Sequence, residues 1–286
     1  MNNPTGTENS SKVREAFSGK VVWITGASSG IGEGISKGFA RCGAKVVLSG
    51  RGVEELNRVR DECEAAGANK DNLMVLPLDV LNYDAMPDAA AAVVAQFERI
   101  DLLINNAGQG ARAFCKDTSM AVYEQILGVN LLGAIALTKA VLPVMIDQGY
   151  GRIAGTSSPA GKVGVPWRSA YCAAKHGVSG FFDALRAEVA YHGIKVSVIV
   201  PGLVRTNTVA NALTGDGQII GVENGVMENG IEVGEAAQII LAQLAAGSDE
   251  FLVGDGPELQ IIEAKRTDPT MVFRALETEG ERLHKQ

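Results

Sequence analysis

The chain has 286 residues, 46% of them hydrophobic and 21% charged, with 34 glycines and only 9 prolines. That balance can bury a sizeable core and excludes an intrinsically disordered protein. The formal net charge of −7 supplies no global basic field for a phosphate backbone, so nucleic acid is not an expected partner.

Residues 1–17, MNNPTGTENSSKVREAF, are polar, lack the apolar centre of a secretory leader and are expected to form a flexible tail. No apolar run of about 18 or more residues is read further along. The expected location is therefore the cytoplasm, without a membrane anchor.

From Lys20 short β-branched runs alternate with helical patterns. VVWIT at 21–25 reads as a strand. A helix follows over 31–42, with Ile31, Ile35, Phe39 and Cys42 at helical spacing and Gly43 placed to end it. Gly34 and Gly38 inside it cost about 1 kcal/mol each relative to alanine and are expected to allow close packing on a sheet. KVVLS at 45–49 is the second strand. Its helix, 53–66, carries Val53, Leu56, Val59 and Cys63 on one side and Glu54 and Glu55 in its first turn.

Five further strands read at 73–76, 102–104, 152–156, 196–200 and 251–253. Their continuous apolar character, unlike the alternation of a half-exposed sheet, predicts helices on both faces. The expected fold is α/β: a single-domain Rossmann fold, with a doubly wound seven-stranded parallel sheet over residues 18–255. Residues 207–231, rich in Asn and Gly, break the rhythm and are a candidate substrate lid. Residues 256–286 form a C-terminal extension, helical after Pro269.

Cys42, Cys63, Cys115 and Cys172 form no CxxC pair and read as reduced, packed thiols. His176, His192 and His284 show no ligand spacing, so no metal is expected.

Chemistry concentrates at strand ends. TGASSGIG at 25–32 places Gly26, Ser28, Ser29, Gly30, Ile31 and Gly32 at a strand-to-helix turn. There the backbone can approach a pyrophosphate at a helix N-terminus. Where the second strand ends, a carboxylate would be expected to hold a ribose 2′-hydroxyl. Arg51 stands there instead, and its guanidinium suits a 2′-phosphate, favouring NADP(H) over NAD(H). NNAG at 105–108 follows the fourth strand. After the fifth, Tyr171 and Lys175 are four residues apart on one helix face, where a cation can stabilise a phenolate. Ser158, 13 residues before Tyr171 in the sequence, can hydrogen-bond a substrate carbonyl.

At these residues the chain resembles the short-chain dehydrogenase/reductase family in its single-domain form. The resemblance covers roughly 18–255. It rests on TGASSGIG, Asp79-Val80, NNAG, the Asn130 helix with Ser158 and YxxxK, and PGLVRT at 201–206. It implies a catalytic tetrad of Asn130, Ser158, Tyr171 and Lys175. Asn130 would hold a local carbonyl and a water leading from Lys175 to solvent. By the same resemblance Asp79 and Val80 flank the adenine, and Asn106, Ala107 and Gly108 the adenosine side. Val204 and Thr206 approach the nicotinamide carboxamide, Pro201 and Gly202 are further cofactor contacts, and Tyr171 and Lys175 hold the ribose.

Residues 157–189 more particularly resemble hydroxysteroid-dehydrogenase-type members, which handle lipophilic alcohols and ketones. The expectation is an NADP(H)-dependent oxidoreductase interconverting a bulky secondary alcohol and its ketone. The resemblance also implies a homodimer, with pairing to a tetramer left open. Two alternatives stand beside it. A 3-oxoacyl thioester reductase would need a basic surface for its acidic carrier, and a cofactor-sensing module without catalysis would not need the complete tetrad.

Overall fold

Each of the seven apolar runs becomes a strand, and all lie parallel in one sheet. They are β1 (Val21–Thr25), β2 (Lys45–Gly50), β3 (Leu73–Pro77), β4 (Leu102–Asn105), β5 (Gly151–Thr156), β6 (Ile194–Pro201) and β7 (Glu250–Val253). The computed structural model describes residues 6–222 and 225–285. The strand order is β3-β2-β1-β4-β5-β6-β7. It reverses direction between β1 and β4, and ligands of such sheets bind in the crevice at the carboxyl ends of the strands there.

The helices are α1 (Gly6–Phe17), α2 (Gly30–Arg41), α3 (Val53–Ala65), α4 (Met86–Phe97), α5 (Met120–Leu127), α6 (Gly133–Gln148), α7 (Ser169–Val189), α8 (Val233–Ala246), α9 (Pro257–Thr267) and α10 (Pro269–His284). Because successive strand residues point to opposite faces, β1 feeds two cores. Val22 and Ile24 join Phe39 and Ile240 on one face. Val21 and Trp23 join Leu103, Val141 and Phe182 on the other. The buried Trp23 indole donates to Ser49 Oγ at 2.8 Å, which satisfies its one polar atom.

Three expectations are corrected here. Residues 1–5 lie outside the described residues, but 6–17 form α1 and not a loose tail. Val13 and Phe17 are buried, and the Phe17 ring meets Phe39 edge-on with centroids 4.9 Å apart. Two apolar residues one turn apart suffice to anchor a helix once a groove is there to receive them.

Gly34 and Gly38 open α2 to α8 and not to the sheet: a Cβ on Gly34 would lie 2.6 Å from Val233 Cγ1, and one on Gly38 3.0 Å from Leu241 Cδ2. Thirdly, the helical run Met120–Gln148 is long and apolar enough to cross a bilayer by length and composition. Within the fold its Val122, Ile126, Leu137, Val141 and Met145 are buried against neighbouring elements.

The segment 207–231 is held from several sides. Val209, Ala212 and Leu213 are buried, Leu213 bridges to Ala111 and Ile219, and Val204 to Ile231. Residues 223 and 224 lie outside the described residues. The C-terminal extension is helical earlier than expected, because Pro257 opens α9 before Pro269 opens α10. Asp268 caps α10 by accepting from Met271 N at 2.9 Å. At the far end of α10 the His284 ring stacks on Phe114, 3.8 Å between centroids and 3° from parallel.

Candidate active site

The turn after β1 explains its glycines. Gly26 (φ 66°) and Gly30 (φ 54°) take left-handed conformations that side chains disfavour. A Cβ on Gly32 would lie 2.0 Å from Gly26 O, so nothing larger fits. Ser29 is the N-cap of α2, yet its side chain makes no capping bond. The first amides of α2 are thus left for an external acceptor, and an anion suits them by charge and dipole. A dinucleotide pyrophosphate fits this cradle.

Thr25 and Asn106 brace the turn from below. Thr25 Oγ1 accepts from both Asn106 N and Ala107 N at 3.0 Å, and Asn106 Nδ2 donates to Thr25 O at 3.1 Å. The Asn106 side chain is therefore committed to joining β1 to β4. Thr206 closes over the turn, its Cγ2 lying 3.0 Å from where a Gly30 Cβ would be. Pro201 ends β6, and Glu258 of α9 accepts from Leu203 N at 2.8 Å. A Gly202 Cβ would strike that carboxylate. The loop carrying Gly202, Val204 and Thr206 is thereby tied to the C-terminal extension.

Arg51 is exposed at the end of β2 and has no carboxylate partner among the described residues. Ser28 sits beside the preceding residue, Gly50, where a Cβ would lie 3.6 Å from Ser28 Oγ. Asp79, also exposed, turns the chain after β3 by accepting from Leu81 N at 3.0 Å. Val80 lies against α6, where a Gly133 Cβ would be 2.7 Å from Val80 O.

The proposed tetrad converges from three elements. Asn130 lies in a π-helical turn, Gly128–Leu132, between α5 and α6; such turns are frequent at functional sites. It is 2% exposed, its Nδ2 donates to Gln109 O and Ile126 O at 2.9 Å each, and its Oδ1 accepts from Gln109 N at 3.3 Å. Asn130 thus anchors the loop after NNAG. Gly108 lies between it and the lysine: a Cβ there would be 2.9 Å from Asn130 Oδ1 and 3.6 Å from Lys175 Nζ.

Lys175 is 3% exposed, and its ammonium donates to Thr156 O at 2.8 Å. Its Nζ is 5.6 Å from the centroid of the Tyr171 ring. Burial pushes Lys175 down to about 8. Burial also pushes the Tyr171 phenol up, while its hydrogen bond with Ser158 and the charge of Arg168 pull it back. Desolvation therefore outweighs both, and Tyr171 keeps its proton, the state an acid needs.

Two glycines that the sequence reading passed over set this geometry. A Cβ on Gly155 would lie 2.2 Å from Phe182 Cε2, so α7 lies directly on β5 only because Gly155 is bare. A Cβ on Gly161 would lie 2.3 Å from Ser157 Oγ and 2.6 Å from Lys175 O. Ser157 in turn bonds Lys175 O and Ser179 Oγ, both at 3.1 Å. A small residue in a strand interior, followed by another in the loop before α7, is the signal that could have exposed them.

A cavity of about 610 Å³ lies between the start of α7 and α10, and none of the four tetrad residues lines it. Phe114, Val165, Pro166, Trp167, Phe273 and Leu276 are its apolar lining, and Ser169, two residues before Tyr171 in the chain, lines it as well. Trp167 holds a left-handed φ of 67°, a strain that persists where surrounding contacts over-determine it; its carbonyl accepts from Ala113 N at 3.0 Å. Cys115 also lines the cavity and is exposed, unlike the packed thiol expected. No cluster of three or more His, Cys, Asp or Glu suited to a metal occurs among the described residues.

Residues 20–216 match the family model described as short chain dehydrogenase. The chain is 39% identical over 255 residues to the human protein "Dehydrogenase/reductase SDR family member 7", covering 88% of this chain and 75% of that one. Among solved structures, it is similar to a short chain dehydrogenase/reductase from Burkholderia phymatum in complex with NAD. There the TM-score is 0.78 at 25% identity, covering 90% of this chain and 96% of that one. A metagenomic short-chain oxidoreductase in complex with NADP gives a TM-score of 0.68 at 32% identity, covering 83% and 98%.

Proposed function

This chain belongs to the short-chain dehydrogenase/reductase family and is an NAD(P)-dependent oxidoreductase; from that premise we propose that it interconverts a bulky, apolar secondary alcohol and its ketone with NADP(H). The observation that carries the reaction is the meeting of Ser158 with the partly buried Tyr171 phenol, which desolvation keeps protonated, one helical turn from the buried Lys175.

When bound, the nicotinamide supplies or accepts the hydride at the substrate's carbonyl carbon. The chain's own groups manage the oxygen. Ser158 and Tyr171 donate to it, and these donors are worth most where negative charge develops. In the reducing direction Tyr171 gives its proton to that oxygen. Lys175, charged at neutral pH, then stands near the phenolate, and Asn130 holds the loop that closes the site. Cofactor preference is supported by Arg51, exposed after β2 and without a carboxylate partner among the described residues. The apolar lining of the cavity at the start of α7 supports a lipophilic, hydroxysteroid-like substrate class, with α10 of the C-terminal extension forming part of that lining.

A homodimer is part of the same proposal. The helical run Met120–Gln148 keeps an apolar surface uncovered within one chain, including Met120 and Leu132, and sedimentation equilibrium would reveal whether a second copy covers it.

The test is reduction of a panel of ketones, including a 3-oxoacyl thioester, by the parent and by Tyr171→Phe with NADPH and NADH. Bulky ketones should be reduced by the parent. The variant should lose at least about a thousandfold in kcat while binding NADPH as before. Substantial turnover by Tyr171→Phe would overturn the assignment, and a preference for the thioester would replace the substrate class.

A further inference from the structure

Against the glycine turn, five charged side chains from α2 and α3 interlock: Glu33, Lys37, Glu55, Arg58 and Glu62. Arg58 is the hub. Its Nε donates to Glu55 at 2.7 Å, and its Nη1 to Glu62 at 2.8 Å and Glu33 at 3.2 Å. Its Nη2 donates to Glu33 at 2.8 Å and to the backbone carbonyl of Ser28 at 3.2 Å. All five guanidinium donors are engaged, so Arg58 has none left for a ligand. That separates it from Arg51, seven residues earlier.

We propose that Arg58 is a positioning residue for the nucleotide site, acting through Ser28 and Glu33. Its first effect is geometric. In a planar trans peptide the C=O and the following N–H point in opposite directions. Holding Ser28 O toward Arg58 therefore turns the Ser29 N–H toward the other side of the turn, where the anion cradle lies. The second effect is electrostatic. Glu33 stands in the first turn of α2, and an unneutralised carboxylate so close to the amides that receive phosphate repels the ligand. Arg58 and Lys37 both pair with Glu33, and Arg58 does so through two nitrogens. A lysine at position 58 can offer only three donors from one point and cannot serve Ser28 O and three carboxylates together.

The inference rests on reading the glycine turn as the NAD(P) site, and the experiment separates the two. Dissociation constants for NADPH and NADH are measured by fluorescence titration for the parent, Arg58→Met, Arg58→Lys, Arg58→Met with Glu33→Gln, and Arg51→Met. The kcat at saturating cofactor is measured alongside.

Arg58→Met should weaken both cofactors about tenfold, the equivalent of one charge-assisted hydrogen bond, with kcat within about twofold of the parent. The double variant should recover about threefold of that loss, because Glu33 no longer repels. Arg58→Lys should fall between the parent and Arg58→Met, and it carries the test if the methionine variant does not fold. Unchanged cofactor affinity in a folded Arg58 variant, no recovery in the double variant, or a fall in kcat that matches the loss of affinity would each overturn the proposal. If the parent binds neither dinucleotide, the reading of the site itself fails. If the parent binds and Arg51→Met alone loses NADPH preference while Arg58→Met is indifferent, only the role of Arg58 fails.

Discussion

Replacing Lys175 by methionine should make this protein more stable and inactive. In the folded chain burial moves the ammonium from its ordinary 10.5 to about 8, and at about 1.4 kcal/mol per pH unit holding it charged costs about 3 kcal/mol at neutral pH. Methionine has nearly the same length, carries no charge and packs readily. It leaves Thr156 O without its donor, a loss of about 1–2 kcal/mol for a buried acceptor. The net expectation is a gain of about 1–2 kcal/mol at pH 7, read by urea denaturation.

Its pH dependence identifies the cause. Because the folded pKa is lowered, the unfolded chain binds more protons between pH 8 and 10.5, so parental stability rises with pH across that window. The penalty is complete below 8 and gone above 10.5. The advantage of Lys175→Met should therefore shrink, and then reverse, over the same range. A variant less stable than the parent at pH 7, or a difference that does not change with pH, would refute the assignment of the cost to a buried ammonium.

Three further outcomes follow from the same region. Gly155→Ala places a Cβ within 2.2 Å of Phe182 Cε2 and should cost about 1–3 kcal/mol by overpacking. It should also lower kcat/KM by shifting α7; unaltered denaturation and turnover would refute the contact. The Thr156 hydroxyl is buried without a hydrogen-bond partner among the described residues, so Thr156→Val should be neutral or stabilising by about 1 kcal/mol, and a destabilisation in urea would refute that. Ketone reduction should decline as pH rises through about 8, where Lys175 loses its proton and no longer steadies the phenolate left on Tyr171. A kcat that stays flat to pH 10 would remove the lysine from the proton pathway.

Whether a side chain's role could be read in advance depended on how local its cause is. The central strands were legible because burial on both faces demands an unbroken apolar run, whatever lies across the gap; β1 matches its expected bounds, and the others differ by one or two residues at an end. The glycine turn was equally legible, since left-handed φ values at Gly26 and Gly30 and the absence of room at Gly32 are constraints within eight residues. Tyr171 and Lys175 could be paired because helical spacing alone puts them together.

What escaped the sequence reading needed a partner from elsewhere in the chain. Val13 and Phe17 look like stray apolar residues in a polar tail until Phe39 is seen beside them. Gly34 and Gly38 announce a close approach without saying that α8 makes it. Arg51 and Arg58 follow the same strand, and nothing in their spacing tells which keeps a free guanidinium and which is consumed by Glu33, Glu55, Glu62 and Ser28 O. Likewise, only the folded chain brings His284 onto Phe114 and α10 over the cavity.

The sequence by itself therefore determined the element order, the parallel sheet and the residues that meet at its carboxyl edge, because periodicity and backbone freedom are properties of short segments. The tertiary structure alone decided the protonation of Tyr171 and Lys175, the partners of each charge and the wall of the cavity. Those depend on which distant surfaces exclude water from a group, and desolvation has no local code.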